Sequence, residues 1–314
     1  MPFNAKKFIE KQVKAIAKAV GEGTAVNALT GGVDSSVCTL LAYRALGRRL
    51  KSYFIDTGLM REGEPKDVVA TFRKLGVKVE LLDESAKFFR ALKGETDPEK
   101  KRDKGITNTF YREVFGPLVR RSGAKHLVHG TNKTDVDETV AGVKRQHNII
   151  VQLGIDPVKA YGYKVLEPLV ELRKDKIRLV AKALGLPRKI WNRPPFPGPG
   201  LSVRVLGEVT REYIAIARAA DAIVREELEG TPAFQYLAIL HKDKVTGVRG
   251  GKRDFGYQIE VRCWDSKDAR AGKPTKLPWP VLLRLGRRIT SEIPGVVSAT
   301  YNITAKPPST IEGE

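Results

Sequence analysis

Thr24-Ala25-Val26-Asn27-Ala28-Leu29-Thr30-Gly31-Gly32-Val33-Asp34-Ser35-Ser36-Val37-Cys38-Thr39-Leu40-Leu41 decides the fold. The short apolar run 24–29 predicts a buried strand, and the residues from Asp34 onward predict a helix over 34–46. A glycine-rich turn between a strand and a helix builds an anion site. Gly31 and Gly32 let the backbone approach phosphate oxygens. The helix start adds unpaired N–H groups and the positive end of its dipole. Thr30, Ser35 and Ser36 add hydroxyls, and Asp34 can reach a magnesium ion. No Gly-Lys-Ser/Thr closes the turn, so it is not a Walker loop.

Outward from this segment, strands and helices alternate. Strands are expected near 24–29, 51–56, 77–82 and 126–130, and helices near 34–46, 65–75 and 109–122. This pattern predicts an α/β fold, a parallel sheet with helices on both faces. Ligands of such sheets sit beyond the carboxyl ends of the strands. Thr30-Gly31-Gly32, Asp56-Thr57-Gly58 and Gly130-Thr131 all fall at such ends and converge on one crevice. A helix over 4–20 precedes the first strand, with Ile9, Val13, Ile16 and Val20 on one face and a lysine stripe on another. Asp97 and Pro98 mark a helix start. The polar stretch Lys144 to Tyr163 is expected to be a lid over the crevice.

Composition sets the outer limits. The 314 residues are 41% hydrophobic, enough for a large core and two domains. No run of eighteen or more apolar residues suggests a membrane span, and the first residues lack the apolar stretch of a signal peptide. Cys38 and Cys263 are the only cysteines. This argues against a disulfide framework or zinc module and for a reducing, cytoplasmic setting. The net charge of +20 is concentrated in the first 190 residues. We read it as a solvated surface, with RNA or an acidic partner as the sharper alternative.

Arg193-Pro194-Pro195-Phe196-Pro197-Gly198-Pro199-Gly200 breaks the pattern, since it fits neither helix nor central strand. It divides a first domain, 1–190, which holds the anion site, from a second domain, 191–314. There, strands are expected near 201–206, 234–240, 256–263 and 297–303, with helices near 210–229 and 279–292. That is a small α+β unit with a mostly antiparallel sheet, suited to dimerisation through its open side or edge.

The loop 30–36 resembles the pyrophosphate-binding loop of the ATP pyrophosphatases, with Thr30 in place of the usual serine. Further motifs narrow the resemblance to the synthetase subunit of GMP synthetases of the two-subunit archaeal type, over nearly the whole chain. They are Asp56-Thr57-Gly58-Leu59-Met60-Arg61, Thr96-Asp97-Pro98-Glu99-Lys100-Lys101-Arg102, Pro195 to Leu201 with Val203 to Glu208, and Lys306-Pro307-Pro308-Ser309-Thr310-Ile311-Glu312. The resemblance implies an adenine nucleotide α-hydrolase-like fold. It also implies amination of XMP to GMP with ATP, magnesium and ammonia, through an adenylyl-XMP intermediate.

Carried over residue by residue, Thr30, Gly31, Gly32, Val33, Asp34, Ser35 and Ser36 hold the pyrophosphate. Asp56, Gly58, Leu59 and Gly130 frame the rest of the nucleotide. Asp34 and Asp135 belong to the metal, with Glu138 and Thr139 in the same acidic motif. The family's lid maps to Lys144-Arg145-Gln146-His147-Asn148, which gives Lys144 and His147 catalytic roles beside Asp34. Pro197, Gly198, Pro199, Gly200, Arg204, Gln235, Arg262, Lys306, Ile311 and Glu312 match XMP-binding positions. Arg204, between apolar neighbours, is a buried arginine that needs an anion. Neither cysteine fits a glutaminase nucleophile, so ammonia is expected from a separate glutaminase subunit or from solution. The alternative is a paralogue that adenylates another carbonyl oxygen, such as a tRNA base for thiolation. Many such enzymes need a cysteine persulfide near the loop, and Cys38 is the residue in question.

Overall fold

The computed structural model describes residues 3–140, 163–267 and 271–314. In its first half the described elements are α1 (Ala5–Val20), β1 (Ala25–Ala28), α2 (Val33–Leu46), β2 (Leu50–Asp56), α3 (Glu64–Lys74), β3 (Val79–Asp83), α4 (Ser85–Leu92) and α5 (Pro98–Arg102). A π-helical stretch, Asp103–Phe115, leads into α6 (Gly116–Ser122), β4 (His126–Val128), α7 (Lys133–Val140), β5 (Lys164–Leu166), α8 (Lys174–Ala183) and α9 (Arg188–Trp191). The second half adds β6 (Val205–Leu206), α10 (Arg211–Glu227), β7 (Gln235–Arg249), β8 (Lys252–Ser266), β9 (Gly272–Pro274), α11 (Trp279–Glu292) and β10 (Val296–Tyr301).

The chain forms two compact units. One comprises 1–56, 64–84 and 110–193, and the other 57–63, 85–109 and 194–314. In the first, five parallel strands run in the order β3-β2-β1-β4-β5. The side chains alternate as a two-sided sheet requires. Ala25, Phe54 and Val128 join Leu40, Leu41, Phe72, Ile177 and Val180 in one apolar cluster. Val26, Ile55 and Leu127 are buried outside that cluster, as are Val114, Phe115, Leu118 and Val119 ahead of β4. The crossovers β1–α2–β2 and β2–α3–β3 run one way across the sheet, and the return through α6 to β4 runs the other. Right-handed connections therefore put α2 and α3 on one face and α6 on the opposite one.

One polar thread crosses this core. Asn27, on β1, accepts from Ser52 Oγ at 2.7 Å and donates to Thr39 Oγ1, which donates to Ser35 O at 2.7 Å. A buried amide is tolerated because it is bonded on both sides. The thread fixes the first turn of α2 to strands β1 and β2.

The helix expected over 109–122 begins earlier, as the π-helical stretch. Gly116 lies at its junction with α6. A Cβ there would stand 2.7 Å from the Tyr111 carbonyl, too close for any other residue. Asp97 caps α5 as expected, accepting from Glu99 N at 2.9 Å and Lys100 N at 3.0 Å. Strand β5 has no counterpart among the strands expected from the sequence.

The second unit is built on a sheet in the order β10-β8-β7-β6, with β9 beside β8. It is mixed, where a mostly antiparallel sheet was expected. β7 and β8 form an antiparallel hairpin of two fifteen-residue arms, turning at Gly250 and Gly251. β10 and β6 pair in parallel with β8 and β7. The chain reaches β10 from β8 through α11, and a connection of that length allows a parallel return. The strand expected over 201–206 shrinks to the two residues of β6. Gly200–Arg204 is instead a 3-10 turn, starting at a glycine with φ +66°. α10 and α11 bury Ile214, Ala217, Val224, Leu285 and Ile289 against Ala238, Leu240, Ile259 and Val261 of the hairpin.

Candidate functional site

The strand order reverses between β1 and β4. β2 and β3 continue outward on one side of β1, and β4 and β5 on the other. Such a switch point opens a crevice at the carboxyl ends of the strands. The loop after β1 and Gly130 after β4 meet there. A Cβ on Gly130 would stand 3.2 Å from Ser35 N and 3.3 Å from Asp34 C, so the two backbones are in close contact.

The loop owes its shape to its own residues. Gly31 has φ +74°, and a Cβ there would press on Val68 at 2.9 Å. Ser35 Oγ donates to Gly32 O at 3.1 Å, accepts from Thr30 N at 3.2 Å and lies 3.0 Å from Thr30 Oγ1. Gly32 is the N-cap of α2 and has no side chain to cap it. The first-turn amides of α2 thus lack an intrahelical acceptor, as at every helix start. Among the described residues, buried Ser36 Oγ and Asp34 Oδ1 have no hydrogen-bond partner, while Asp34 Oδ2 is paired with Lys174 at the start of α8. Arg193 pairs with Glu64 and donates to Gly31 O at 3.3 Å.

Asp135 stands in the first turn of α7. Its Oδ2 accepts from Asn132 N at 3.2 Å and Nδ2 at 2.8 Å, and Asn132 Oδ1 accepts from the amides of Thr134 and Asp135. No group of three or more His, Cys, Asp or Glu among the described residues could enclose a metal. A magnesium ion that takes most of its ligands from phosphates and water needs only one or two carboxylates. The unpaired Oδ1 of Asp34, beside free helix-start amides, fits that requirement. Asp56 ends β2, where its carbonyl accepts from Glu84 N at 2.9 Å.

Cys38 is buried in α2, its thiol 3.3 Å from His129 O. Burial first, and then the charges of Asp34 and Glu167, push its pKa well above the usual thiol range. It is packed as an apolar residue, not poised as a thiolate. His129 is held neutral by burial, its pKa down to about 4.

In the second unit, Gly58 and Leu59 belong to a loop clamped from two sides. Arg218 of α10 donates to Gly58 O at 2.6 Å and to Met60 O at 2.9 Å. The Pro-Gly block supplies the other side. Leu201 N donates to Leu59 O at 2.8 Å, and Gly200 N donates to Pro197 O at 2.9 Å. A Cβ on Gly200 would collide with the Leu59 carbonyl. Ser202 Oγ donates to Pro199 O at 2.8 Å and finishes the turn. Gly198 sits inside this turn, spanned by the bond from Gly200 N to Pro197 O.

Five of the expected acceptor-binding residues lie in one network. Arg204 is fully buried and pairs with Asp221 at 2.6 Å and Glu312 at 2.9 Å. The anion that a buried arginine needs is supplied within the chain, by these two carboxylates. Burial works against its charge, and Glu312 and Asp221 more than restore it, so its pKa is raised. Glu312 also accepts from Gln235 at 2.8 Å. Arg262 donates to the carbonyls of Thr310 at 2.7 Å and Glu312 at 2.8 Å. Ile311 packs on Leu237, Ile239 and Trp264. Behind Arg262 is Glu260. Burial alone would raise its pKa, but hydrogen bonds from His241, Arg262 and Asn302 hold it down at about 2. Lys306 is tied by its backbone to Gly272, at 2.9 and 3.1 Å.

The lid residues Lys144, Arg145, Gln146, His147 and Asn148 lie outside the described residues, and so do the side chains of Glu138 and Thr139. Sequence reasoning missed Lys174, Arg193, Arg218 and Asp221. Each is one charge among many until the fold sets it beside its partner.

Residues 4–199 match the family model described as NAD synthase, and residues 222–313 match the one described as GMP synthase C terminal domain. The chain is 48% identical over 310 residues to a subunit of the glutamine-hydrolyzing GMP synthase of Thermococcus kodakarensis, covering 98% of this chain and 99% of the relative. It is 47% identical over 312 residues to the Archaeoglobus fulgidus subunit of the same name, covering 99% and 100%. The glutamine-hydrolyzing GMP synthase of Aeropyrum pernix is 46% identical over 316 residues, covering 98% of this chain but 60% of that longer protein.

Proposed function

The chain belongs to a family of glutamine-hydrolyzing GMP synthase subunits, and from that premise we propose that it aminates XMP to GMP with ATP, a ligase reaction that forms a C–N bond. The xanthine 2-oxygen attacks the α-phosphorus of ATP. The bond from that phosphorus to the bridging oxygen breaks, and pyrophosphate leaves. Ammonia adds at the adenylylated carbon, its C–O bond breaks, and AMP leaves with the oxygen. Protons released from nitrogen pass to solvent. Oxygen on a purine ring is a poor leaving group and a phosphate ester is a good one, so the protein's work is positioning and charge stabilisation.

Amides and hydroxyls from Thr30 to Ser36 cradle the departing pyrophosphate. Asp34 and Asp135 would hold a magnesium ion, which would supply positive charge against the phosphates. Asp56, Gly58, Leu59 and Gly130 frame the nucleotide, and Lys144 and His147 act from the lid. Pro197 to Gly200, Arg204, Gln235, Arg262, Lys306, Ile311 and Glu312 form the acceptor site. With Arg204 neutralised internally, its part is to orient Glu312, whose carboxylate suits purine N–H groups.

The observation that carries this reading is the pair of buried unpartnered atoms, Asp34 Oδ1 and Ser36 Oγ, on a helix start at the switch point. The test mixes the protein with ATP, magnesium, XMP and ammonium. GMP, AMP and pyrophosphate are expected in equal amounts. A folded, ATP-binding protein that makes no GMP would overturn the choice of acceptor.

Ammonia comes from a separate glutaminase subunit. Burial raises the pKa of both Cys38 and Cys263, which leaves neither as the nucleophile of a glutaminase. The same burial disfavours a persulfide on Cys38 and with it the tRNA-thiolating alternative. We also read the protein as a cytoplasmic homodimer joined through its second unit. Free cysteines and nucleotide substrates support the compartment, and the outward apolar face of α11 supports the dimer.

A further inference from the structure

α10 carries Arg218 and Asp221 one turn apart, on one face. Arg218 holds the carbonyls of Gly58 and Met60. Asp221, only 1% exposed, takes an arginine on each carboxylate oxygen. Its Oδ1 receives Arg204 Nη1 at 2.6 Å, and its Oδ2 faces Arg61 Nε at 3.3 Å. Arg61 closes the motif that begins Asp56-Thr57-Gly58. Arg204 reaches on to both oxygens of Glu312. The Phe196 ring is shared between the two guanidiniums, with Arg61 at 4.3 Å from its centre and Arg204 at 5.1 Å. A continuous chain of charge, buried at Arg61, Asp221 and Arg204, therefore runs from the loop 57–63 to the partly exposed Glu312.

We propose that Asp221 is a positioning residue that couples the nucleotide loop to the acceptor-binding tail, so that filling one site sets the other. A shift of Gly58 or Leu59 on a nucleotide moves Arg61. A shift of Arg61 changes what Asp221 offers to Arg204, and Arg204 fixes the carboxylate of Glu312. Asp221 and Arg204 are buried and carry opposite charges in contact, so a change at one is felt at the next. Coupling of this kind is a free energy, and it is reciprocal. The inference rests on the reading of Gly58 and Leu59 as nucleotide-binding and Glu312 as acceptor-binding.

Calorimetry on the full chain tests it, using a non-hydrolysable ATP analogue with magnesium, and XMP. In the unaltered protein, XMP should tighten the analogue by about 5-fold or more, and the analogue should tighten XMP by the same factor. Asp221→Asn keeps the shape and removes the charge. It should bring the factor to within about 2-fold of unity, with each ligand still binding alone. Arg61→Gln leaves the Arg204–Asp221 pair in place and should lose the coupling too, so the test survives if Asp221→Asn does not fold. Adding the second change to the first should have no further effect on the factor. Two ligands that bind the unaltered protein independently overturn the inference alone. Coupling retained in folded Asp221→Asn or Arg61→Gln does the same. An unaltered protein that binds the analogue but not XMP overturns the acceptor reading as well.

Discussion

His129 precedes the glycine that closes on the loop 30–36, and its imidazole Nδ1 lies 3.0 Å from Thr131 Oγ1. Burial takes its pKa from an ordinary 6.5 to about 4 in the folded protein. Between those values the unfolded chain binds the extra proton, so stability falls as pH drops from about 6.5 to about 4. Replacing His129 with Asn should flatten that part of the stability curve, measured by denaturant titration at several pH values. An unchanged slope would place the titrating group elsewhere. At this scale the loop was legible in the sequence, because its glycines and hydroxyls are adjacent and act on their own backbone. The charges that frame it were not. Lys174 and Arg193 come from 140 and 162 residues away and carry no local signal.

Among elements, the Pro-Gly block shows the difference between seeing a break and knowing its use. Four prolines exclude helix and central strand, and that much is written in the composition. That Gly200 must press on the Leu59 carbonyl depends on a partner far upstream in the chain, and no pattern marks it. Gly200→Ala adds a Cβ where backbone already stands and forces a non-glycine residue to φ +66°. It should cost at least about 2 kcal/mol in chemical denaturation. It should also weaken nucleotide binding, since Leu59 has to move. A variant as stable as the parent would show that the turn can relax. The strand expected over 201–206 failed for the same reason. Alternating apolar residues fit a strand, but the φ of Gly200 and the bond from Leu201 N to Leu59 O impose a 3-10 turn.

For the whole molecule, strand and helix periodicity was enough to find β1 to β4 of the parallel sheet, because each is a local segment centred on apolar residues, and β5 was missed. Parallel pairing of β10 and β6 was not legible, since register depends on which connection crosses the sheet. The proposed dimer belongs to this scale. α11 turns Leu285 and Ile289 inward and leaves Trp279 and Leu283 at 69% and 56% exposure, one turn apart on a single face. A second copy burying both is the expected state. Sedimentation should give twice the 34.8 kDa chain mass, and Trp279→Glu with Leu283→Glu should halve it. A monomer in the unaltered protein would remove this face from consideration.

The interleaving of the two units limits how such a chain can be recombined. Residues 57–63 and 85–109 pack with 194–314 although they are encoded among the strands of the parallel sheet. Lys101, from the second of these segments, reaches Val205 O at 2.9 Å and pairs with Glu314. Arg102 donates to Glu314 O at 2.7 Å. A chimera spliced once at Pro194 would join the second half of one protein to the loop and helix segments of another. Swapping the second unit must move three stretches together, even where a single splice point looks natural.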